Sequence, residues 1–243
     1  MMDQNQALKA WDLVKDAEGH KELRERVWGK VKHAFDPTEY TKFYTDAEEP
    51  AQTDEFAMTS VLTNSRLNWC AKSILNQHQS PVVDLGCSDG FFILALSRHG
   101  IECVGVNLNK GAIAVGRTRA WENNLPATFI QGDLRDHQGS YGAVVMMEVI
   151  EHLPNPEEAI AHAYSLVKLG GSLYLTTPRN DHYIIEERLK NEKRENWDSD
   201  EEPAGHLRLY TEEEFKELLK PYKIKQFILD EMRTMLVEIV KEV

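Results

Sequence analysis

The residue types best suited to chemistry cluster after the apolar run YGAVVMM. Glu148, Glu151 and His152 follow that run, and His206 stands later, in GHLRLYTEEEF. The first three are spaced i, i+3 and i+4, so a helical turn would place them on one side. Carboxylates alone suit Mg²⁺, whereas a histidine pair favours Mn²⁺, Fe²⁺ or Zn²⁺. The residues predict a divalent-metal site, a metal-free pocket with His152 and then His206 as candidate bases, or a purely structural cluster.

A glycine-containing loop follows the first strand-like run after residue 80. In VVDLGCSDGFF, Asp84, Gly86 and Gly90 stand where a buried strand is expected to turn into a helix. Glycine lets a ligand approach the backbone closely, and the helix N-terminus offers unpaired N–H groups. A nicotinamide site would need G-x-G-x-x-G and an acid after the second strand, but Ser88 and Asn107 occupy two of those places. The loop therefore favours another ligand, and a nicotinamide-dependent reductase ranks last.

Apolar runs with strand character alternate with helical segments from residue 80 onward, which predicts an α/β fold. The last two runs are separated only by residues 230–233, a hairpin spacing, so they should be antiparallel. The prediction is a Rossmann-like, doubly wound sheet of seven strands, with ligands at the carboxyl ends of the parallel strands. The predicted strands are 81–86, 101–107, 127–133, 141–148, 170–178, 223–229 and 234–240, and the helices are 91–98, 110–122, 156–168 and 211–219.

The first part of the chain predicts a helical cap on this sheet. Helical spacing of apolar residues appears around 23–35 and 58–76, so we expect a cap over residues 1–79 and a ligand-binding domain over 80–243. The long polar stretch after the fifth strand predicts an acceptor lid around 179–210, in which Tyr183, Ile184 and Ile185 face the pocket. The aromatic-rich loop 40–44 would complete the acceptor site.

Composition and net charge disfavour several kinds of partner and cellular location. The 243 residues carry a net charge of −12, which disfavours nucleic acid and anionic membrane surfaces as partners. The sequence contains no transmembrane run and no visible secretory signal. Three cysteines without CxxC spacing (Cys70, Cys87 and Cys103) indicate buried thiols in a reducing compartment. We therefore expect a cytoplasmic protein with a small-molecule substrate, and the sequence makes no prediction of oligomeric state.

The glycine loop resembles motif I, D-x-G-x-G-x-G, of the class I S-adenosylmethionine methyltransferases, with Ser88 in place of the middle glycine. The resemblance covers roughly residues 80–178, and residues 211–243 fit the tail of the same fold. It implies S-adenosylmethionine as the cofactor. It also implies that the loop residues Asp84, Gly86, Cys87 and Gly90 contact that cofactor.

The resemblance assigns further cofactor contacts. Asn107, with Leu108 beside it, stands where the family usually has an acid that holds the ribose hydroxyls. Asp133 would accept from the adenine amino group with Leu134 against the ring, although a simple turn or cap acid is the alternative. In the ubiquinone-biosynthesis O-methyltransferases, which RLNWCAKSIL resembles, an arginine at the place of Arg66 reaches the methionine carboxylate. The alternative for Arg66 is a solvated helix charge.

The Glu-x-x-Glu-His string with a later histidine resembles two metal-using groups, the ubiquinone-pathway O-methyltransferases and the small-RNA 3′-terminal 2′-O-methyltransferases. The resemblance implies Mg or Mn bound by Glu148, Glu151, His152 and His206. In metal-free relatives Glu148 would line the cofactor pocket and His152 would face the acceptor. The prediction is O-methylation of a small-molecule hydroxyl. The alternatives are methylation of an RNA 3′ terminus and a non-catalytic module that binds S-adenosylmethionine.

Overall fold

The computed structural model describes residues 65–153, 155–180 and 208–242. They all belong to a compact unit that runs from Asp54 to Val243. The elements in chain order are α1 Ser65–Asn76, β1 Val82–Leu85, α2 Phe91–Ser97, β2 Cys103–Asn107, α3 Lys110–Glu122, β3 Ala127–Gln131, β4 Tyr141–Met147, a 3₁₀ helix Ile150–His152, α4 Pro156–Leu166, β5 Val167–Pro178, α5 Glu212–Leu218, β6 Ile224–Leu229 and β7 Thr234–Val240.

Several predictions fall on residues that the structure does not describe. They concern the cap helix near 23–35, the aromatic-rich loop 40–44, most of the lid 179–210, and His206. These remain predictions. Among the helices that the structure does describe, none is long and apolar enough to cross a membrane.

The seven strands form one sheet in the order β3-β2-β1-β4-β5-β7-β6. β1 pairs in parallel with both β2 and β4, so the strand order reverses around β1. β7 runs antiparallel to both of its neighbours, as the hairpin spacing predicts. The Rossmann-like α/β prediction is therefore confirmed. In such sheets the ligand site lies at the carboxyl ends of the strands beside the reversal, which here are the ends of β1 and β4.

Helices cover both faces of the sheet, because the central strands are apolar on both sides. One face packs against α1, α2 and α3, and the other against α4 and α5. The first cluster includes Cys70, Ile74, Ile93, Leu96, Ile113 and Tyr174. The second includes Leu85, Met146, Ile160, Leu173, Leu175 and Phe215. Each large apolar side chain buried in this way stabilises the fold by about 1.5–3 kcal/mol, which fixes the strand ends that carry the site.

Helix α1 is tied to the sheet by a buried carboxylate. Glu238 of β7 is 1% exposed. Its Oε1 accepts from Gln77 Nε2 at 2.9 Å, from Ser172 Oγ at 2.8 Å and from Lys225 Nζ at 3.0 Å. The predicted cap over residues 1–79 includes α1, and α1 packs on the same core as β1. The position of α1, and of Arg66 in its first turn, is therefore set by the sheet.

Candidate active site

The loop after β1 turns sharply through residues in the left-handed region. Gly86, Ser88 and Gly90 have φ of 95°, 51° and 79°. The backbone N–H groups of Gly86 and Cys87 both donate to the carbonyl of Val106 on β2, at 2.8 and 3.1 Å. Glycine adopts such φ values without strain, and it leaves the backbone open to a ligand. The structure therefore forms the tight loop that the glycine spacing predicts.

Gly90 also requires glycine for reasons of space. A Cβ at this position would overlap the ring of Phe129. We expect Gly90→Ala to lower the free energy of unfolding by about 2–4 kcal/mol, because backbone strain and overpacking add. The matched control is Gly100→Ala, since Gly100 has φ of 76° but an added Cβ would meet no atom within 4 Å. The free energy of unfolding of this control, measured by denaturant unfolding, should fall by only about 1 kcal/mol. Equal losses in the two variants would contradict the steric account.

Asp84 and Cys87 lie in the wall of the site. Asp84 is 4% exposed, and burial raises its pKa to about 7. Burial also raises the pKa of the Cys87 thiol, so this cysteine is a neutral side chain rather than a nucleophile. A Cβ at Gly105 would lie 2.7 Å from Cys87 Sγ, which shows how closely the thiol packs on β2. The predicted cofactor contacts of these two residues are therefore contacts from a rigid, buried wall.

The carboxyl end of β2 presents an amide and an apolar side chain. Asn107 ends the strand, and its Oδ1 accepts from the N–H of Asn109 at 2.8 Å. Asn109 in turn begins α3 by accepting from two backbone N–H groups of the first turn. Leu108 is 42% exposed. An exposed leucine beside a hydrogen-bonding amide suits the flat ring and the sugar of a nucleoside.

Asp133 lies at the next strand end, after β3. Its Oδ1 accepts from Arg135 Nε at 2.9 Å and its Oδ2 from Arg135 Nη2 at 2.5 Å. Hydrogen bonding to Arg135 lowers the pKa of Asp133 to about 2, so the carboxylate is charged. Oδ1 also accepts from the backbone N–H of Arg135 at 2.9 Å, so the lone pair that remains for an adenine amino group is on Oδ2. Leu134 packs partly buried against the core beneath this position. The structure shows the turn role of Asp133, and its adenine role stays a prediction.

Glu148 is held by its backbone and by β5. It follows β4 in the left-handed region, with φ of 55°. The hydroxyl of Thr176 donates to Glu148 Oε1 at 2.8 Å, and the N–H of Glu148 donates to the carbonyl of Thr176 at 3.0 Å. Glu148 Oε2 lies 3.5 Å from Arg66 Nη1. A left-handed residue other than glycine costs about 1–2 kcal/mol, and strain of this kind is typical of functional sites.

The structure corrects the expectation that Glu148, Glu151 and His152 share one side of a helical turn. The left-handed Glu148 ends the strand outside any helix, and only a three-residue 3₁₀ helix follows. Glu151 is fully buried, whereas His152 is exposed. The chain therefore brings the two carboxylates together and turns the imidazole toward solvent.

The carboxyl group of Glu151 is buried, and the described residues supply a hydrogen bond to only one of its oxygens. Thr177 Oγ1 donates to its Oε2 at 3.1 Å, while its Oε1 has no hydrogen-bond partner among the described residues. Burial first, and then the nearby Glu148 carboxylate, raise the pKa of Glu151 well above its usual range. Buried carboxyl oxygens rarely lack a partner. A polar group or ion is therefore expected beside Oε1.

Within the described part of the chain, no group of three or more His, Cys, Asp or Glu side chains is arranged to hold a metal ion. His206, the fourth residue of the predicted metal set, lies outside that part. The metal set consequently remains a prediction.

Sequence reasoning missed three residues of the site. Thr176 and Thr177, at the end of β5, hold the two glutamates, and Arg135 fixes Asp133. The pair of threonines at the carboxyl end of an otherwise apolar strand was a signal, because β5 was expected in the sheet. Which residues they contact depends on the pairing of β5 with β4.

Comparison with known proteins identifies the family. A family model described as a methyltransferase domain matches residues 33–222. The chain belongs to this methyltransferase family. The predicted methyltransferase family is thereby confirmed, and the match gives no support to the reductase alternative. The match includes the glycine loop, the Glu148 strand end and α5.

Two curated proteins show what this methyltransferase is similar to. It is 30% identical over 147 residues to the ubiquinone biosynthesis O-methyltransferase of Vibrio parahaemolyticus, covering 58% of this chain and 63% of that protein. It is 28% identical over 152 residues to the protein of that name from Cronobacter sakazakii, covering 60% of this chain and 63% of the relative. The alignments span less than two thirds of either relative.

Solved structures support the fold. The methyltransferase resembles magnesium protoporphyrin IX methyltransferase from Synechocystis PCC 6803 with bound SAH (S-adenosylhomocysteine), with a TM-score of 0.63 and 16% identity over 88% of this chain and 99% of that chain. It also resembles the PH0226 protein from Pyrococcus horikoshii, with a TM-score of 0.62 and 18% identity over 83% and 99% of the two chains. At these identities the likeness shows the fold alone.

Proposed function

We propose that this methyltransferase moves the methyl group of S-adenosylmethionine to a hydroxyl oxygen of a small molecule. One observation carries the proposal: groups suited to each part of the cofactor lie at the carboxyl ends of β2 and β3 and, through Arg66 of α1 beside Glu148, at that of β4. Arg66 suits the methionine carboxylate. Asn107 and Leu108 suit the ribose and the adenine ring, and Asp133 suits the adenine amino group. The tight glycine loop lies at the end of β1, between the ends of β2 and β4.

The chain's own residues then have two tasks. The sulfonium of S-adenosylmethionine is already an activated donor, so the protein mainly has to align the acceptor with the methyl group. A hydroxyl acceptor must also lose a proton. His152 is exposed at the end of the 3₁₀ helix that follows β4, and we assign it the role of general base. Glu148, fixed by Thr176, would form the wall between the cofactor and the acceptor.

The class of acceptor follows from the relatives and from charge. The curated relatives are named O-methyltransferases, which supports oxygen as the methylated atom. The net charge of −12 favours a small molecule over RNA as the acceptor, since proteins bind RNA phosphates mainly through Lys and Arg side chains.

Cys70, Cys87 and Cys103 are all buried and free, which agrees with the predicted cytoplasmic location.

Metal assistance is a second candidate, favoured by Glu151. Its Oε1, which has no hydrogen-bond partner among the described residues, and the neighbouring Glu148 supply oxygen ligands of the kind that Mg²⁺ or Mn²⁺ prefers. Glu148, Glu151 and the predicted His152 and His206 would hold such a cation, which would lower the pKa of the acceptor hydroxyl. Glu151 would have to lose its proton to bind, because only a deprotonated carboxyl is a metal ligand.

A thermal-shift titration with S-adenosylhomocysteine in EDTA tests the proposal. A ligand that binds only the folded state raises the melting temperature by mass action, so we expect a rise that grows with ligand concentration. The absence of any rise would reject the proposed function. A rise without methyl transfer to a panel of phenols and alcohols would favour the non-catalytic alternative. A further rise with Mg²⁺ or Mn²⁺ that disappears in Glu151→Gln would support metal assistance.

A further inference from the structure

A hydrogen bond from the backbone determines which way the side-chain amide of Asn107 is oriented. One of its two terminal atoms lies 2.8 Å from the backbone nitrogen of Asn109. That N–H can only donate, so the amide atom facing it must be the oxygen. The amide nitrogen, Nδ2, therefore points to the other side of the Cβ–Cγ axis. A flip would place two donors against each other and would lose this hydrogen bond.

The turn that holds Asn107 is itself held by helix α3. Oδ1 of Asn109 accepts from the N–H of Gly111 at 2.8 Å and from the N–H of Ala112 at 3.2 Å. On the other side, the N–H of Gly132 donates to the carbonyl of Asn107 at 3.0 Å. The described residues give Nδ2 no partner, and the side chain is only partly buried. A donor is thus presented at the carboxyl end of β2 by a rigid frame.

We propose that Asn107 is a specificity-determining residue that donates Nδ2–H to a ribose hydroxyl oxygen of the cofactor. This inference rests on the proposed function and deepens it. A donor needs only a lone pair on the ribose oxygen, whereas a carboxylate needs the hydroxyl hydrogen. The ribose site therefore accepts adenosyl ligands in which that oxygen is an ether. A site with an acid at this position rejects such ligands.

Asn107→Asp is the substitution that separates the two kinds of contact. An aspartate oxygen can still accept from the N–H of Asn109, so the turn is preserved. The N-terminus of α3, a 13-residue helix that begins at Lys110, favours the new negative charge. The other carboxylate oxygen then accepts from the ribose hydroxyl, and such charge-assisted bonds are about twice as strong as neutral ones. We expect S-adenosylhomocysteine to bind about tenfold more tightly to the variant.

Isothermal titration calorimetry of the full chain tests this. The ligands are S-adenosylhomocysteine, its two mono-O-methyl ribose ethers, and its two monodeoxy forms. For the native protein we expect, at one ribose position, an ether that binds within about twofold of the parent and a deoxy form that binds about 3- to 10-fold more weakly. In Asn107→Asp we expect the affinity for S-adenosylhomocysteine to rise and the affinity for that ether to fall. The ratio of the two dissociation constants then increases to about tenfold or more. Asn124→Asp, at an exposed turn, adds the same charge elsewhere and should change nothing.

The outcomes distinguish this inference from the function on which it rests. If the native protein does not bind S-adenosylhomocysteine, the proposed function fails. If it binds but both ethers bind no better than the deoxy forms, the donor role of Asn107 is wrong. This second comparison uses only the native protein, so a folding defect in Asn107→Asp cannot hide the result. Tighter binding by Asn107→Asp of the ether at the contacted ribose position would also overturn the inference.

Discussion

Replacing His152 with alanine is expected to lower kcat for methyl transfer by about 10²–10⁴, with little change in the affinity for S-adenosylhomocysteine. His152 is exposed at the end of the 3₁₀ helix after β4, so its replacement takes away the proposed base without opening the core. The measurement is the initial rate of S-adenosylhomocysteine formation, with the phenol that the native protein methylates fastest. The limb of the pH–rate profile that reports a general base should disappear.

The matched control for His152 is His99→Ala. His99 is also exposed, but it lies after α2 at the opposite end of the strands. It should keep the native rate and the native pH profile. A His152→Ala enzyme with full activity would show that the base is another group. A loss of cofactor affinity and thermal stability together with the rate would show that His152 acts through structure.

Most of the fold could be predicted because its signals are local. Helix α3 has the predicted limits, Lys110 and Glu122, and its start is fixed locally by Asn109, which accepts from two backbone N–H groups of the first turn. β7 also has its predicted limits, Thr234 and Val240. The predicted helix 156–168 ends earlier, at Leu166, because Val167 already pairs with Tyr141 of β4. That pairing is a long-range contact, which periodicity alone does not contain.

The candidate site was predictable as a set of strand ends but not as a geometry. Spacing alone placed Glu148, Glu151 and His152 on one side, because it assumed a helical backbone. The left-handed φ of Glu148 breaks that assumption, and glutamate gives no signal for this conformation, unlike glycine or asparagine. The threonines that hold both glutamates come from β5. Their role follows only from the register in which Met147 pairs with Thr176.

In contrast to the geometry around Glu148, hydrogen bonds within turns can be anticipated from the sequence. Asn107 accepts from the backbone two residues later, and Asp133 does the same with the N–H of Arg135. Asn and Asp often form such bonds in turns, so the turn alternative for Asp133 was foreseeable. The turn role does not use every donor and acceptor of either side chain. Asn107 is fixed through its amide oxygen and Asp133 through both carboxylate oxygens, so the amide N–H of Asn107 and one lone pair on Asp133 Oδ2 would remain for the predicted cofactor contacts.

Replacing Arg66 with alanine is expected to weaken binding of S-adenosylhomocysteine by about 10- to 100-fold. The guanidinium lies 3.5 Å from Glu148 and would reach the methionine carboxylate of the cofactor from the first turn of α1. Without it, that carboxylate would face Glu148 with no cation between them. 5′-Methylthioadenosine has the same nucleoside but lacks the amino acid carboxylate, so its affinity should hardly change. Calorimetric titration of both ligands measures the difference.

Two further variants show whether the effect belongs to the guanidinium. Arg66→Lys keeps the charge but loses the two-pronged fork, so it should recover only part of the affinity. Lys72→Ala removes an exposed cation from the same helix and should leave both affinities unchanged. Equal weakening of both ligands in Arg66→Ala would mean that Arg66 mainly positions α1 against Glu148. Unchanged binding of both would make Arg66 a solvated helix charge, and the carboxylate end of the cofactor would need another partner.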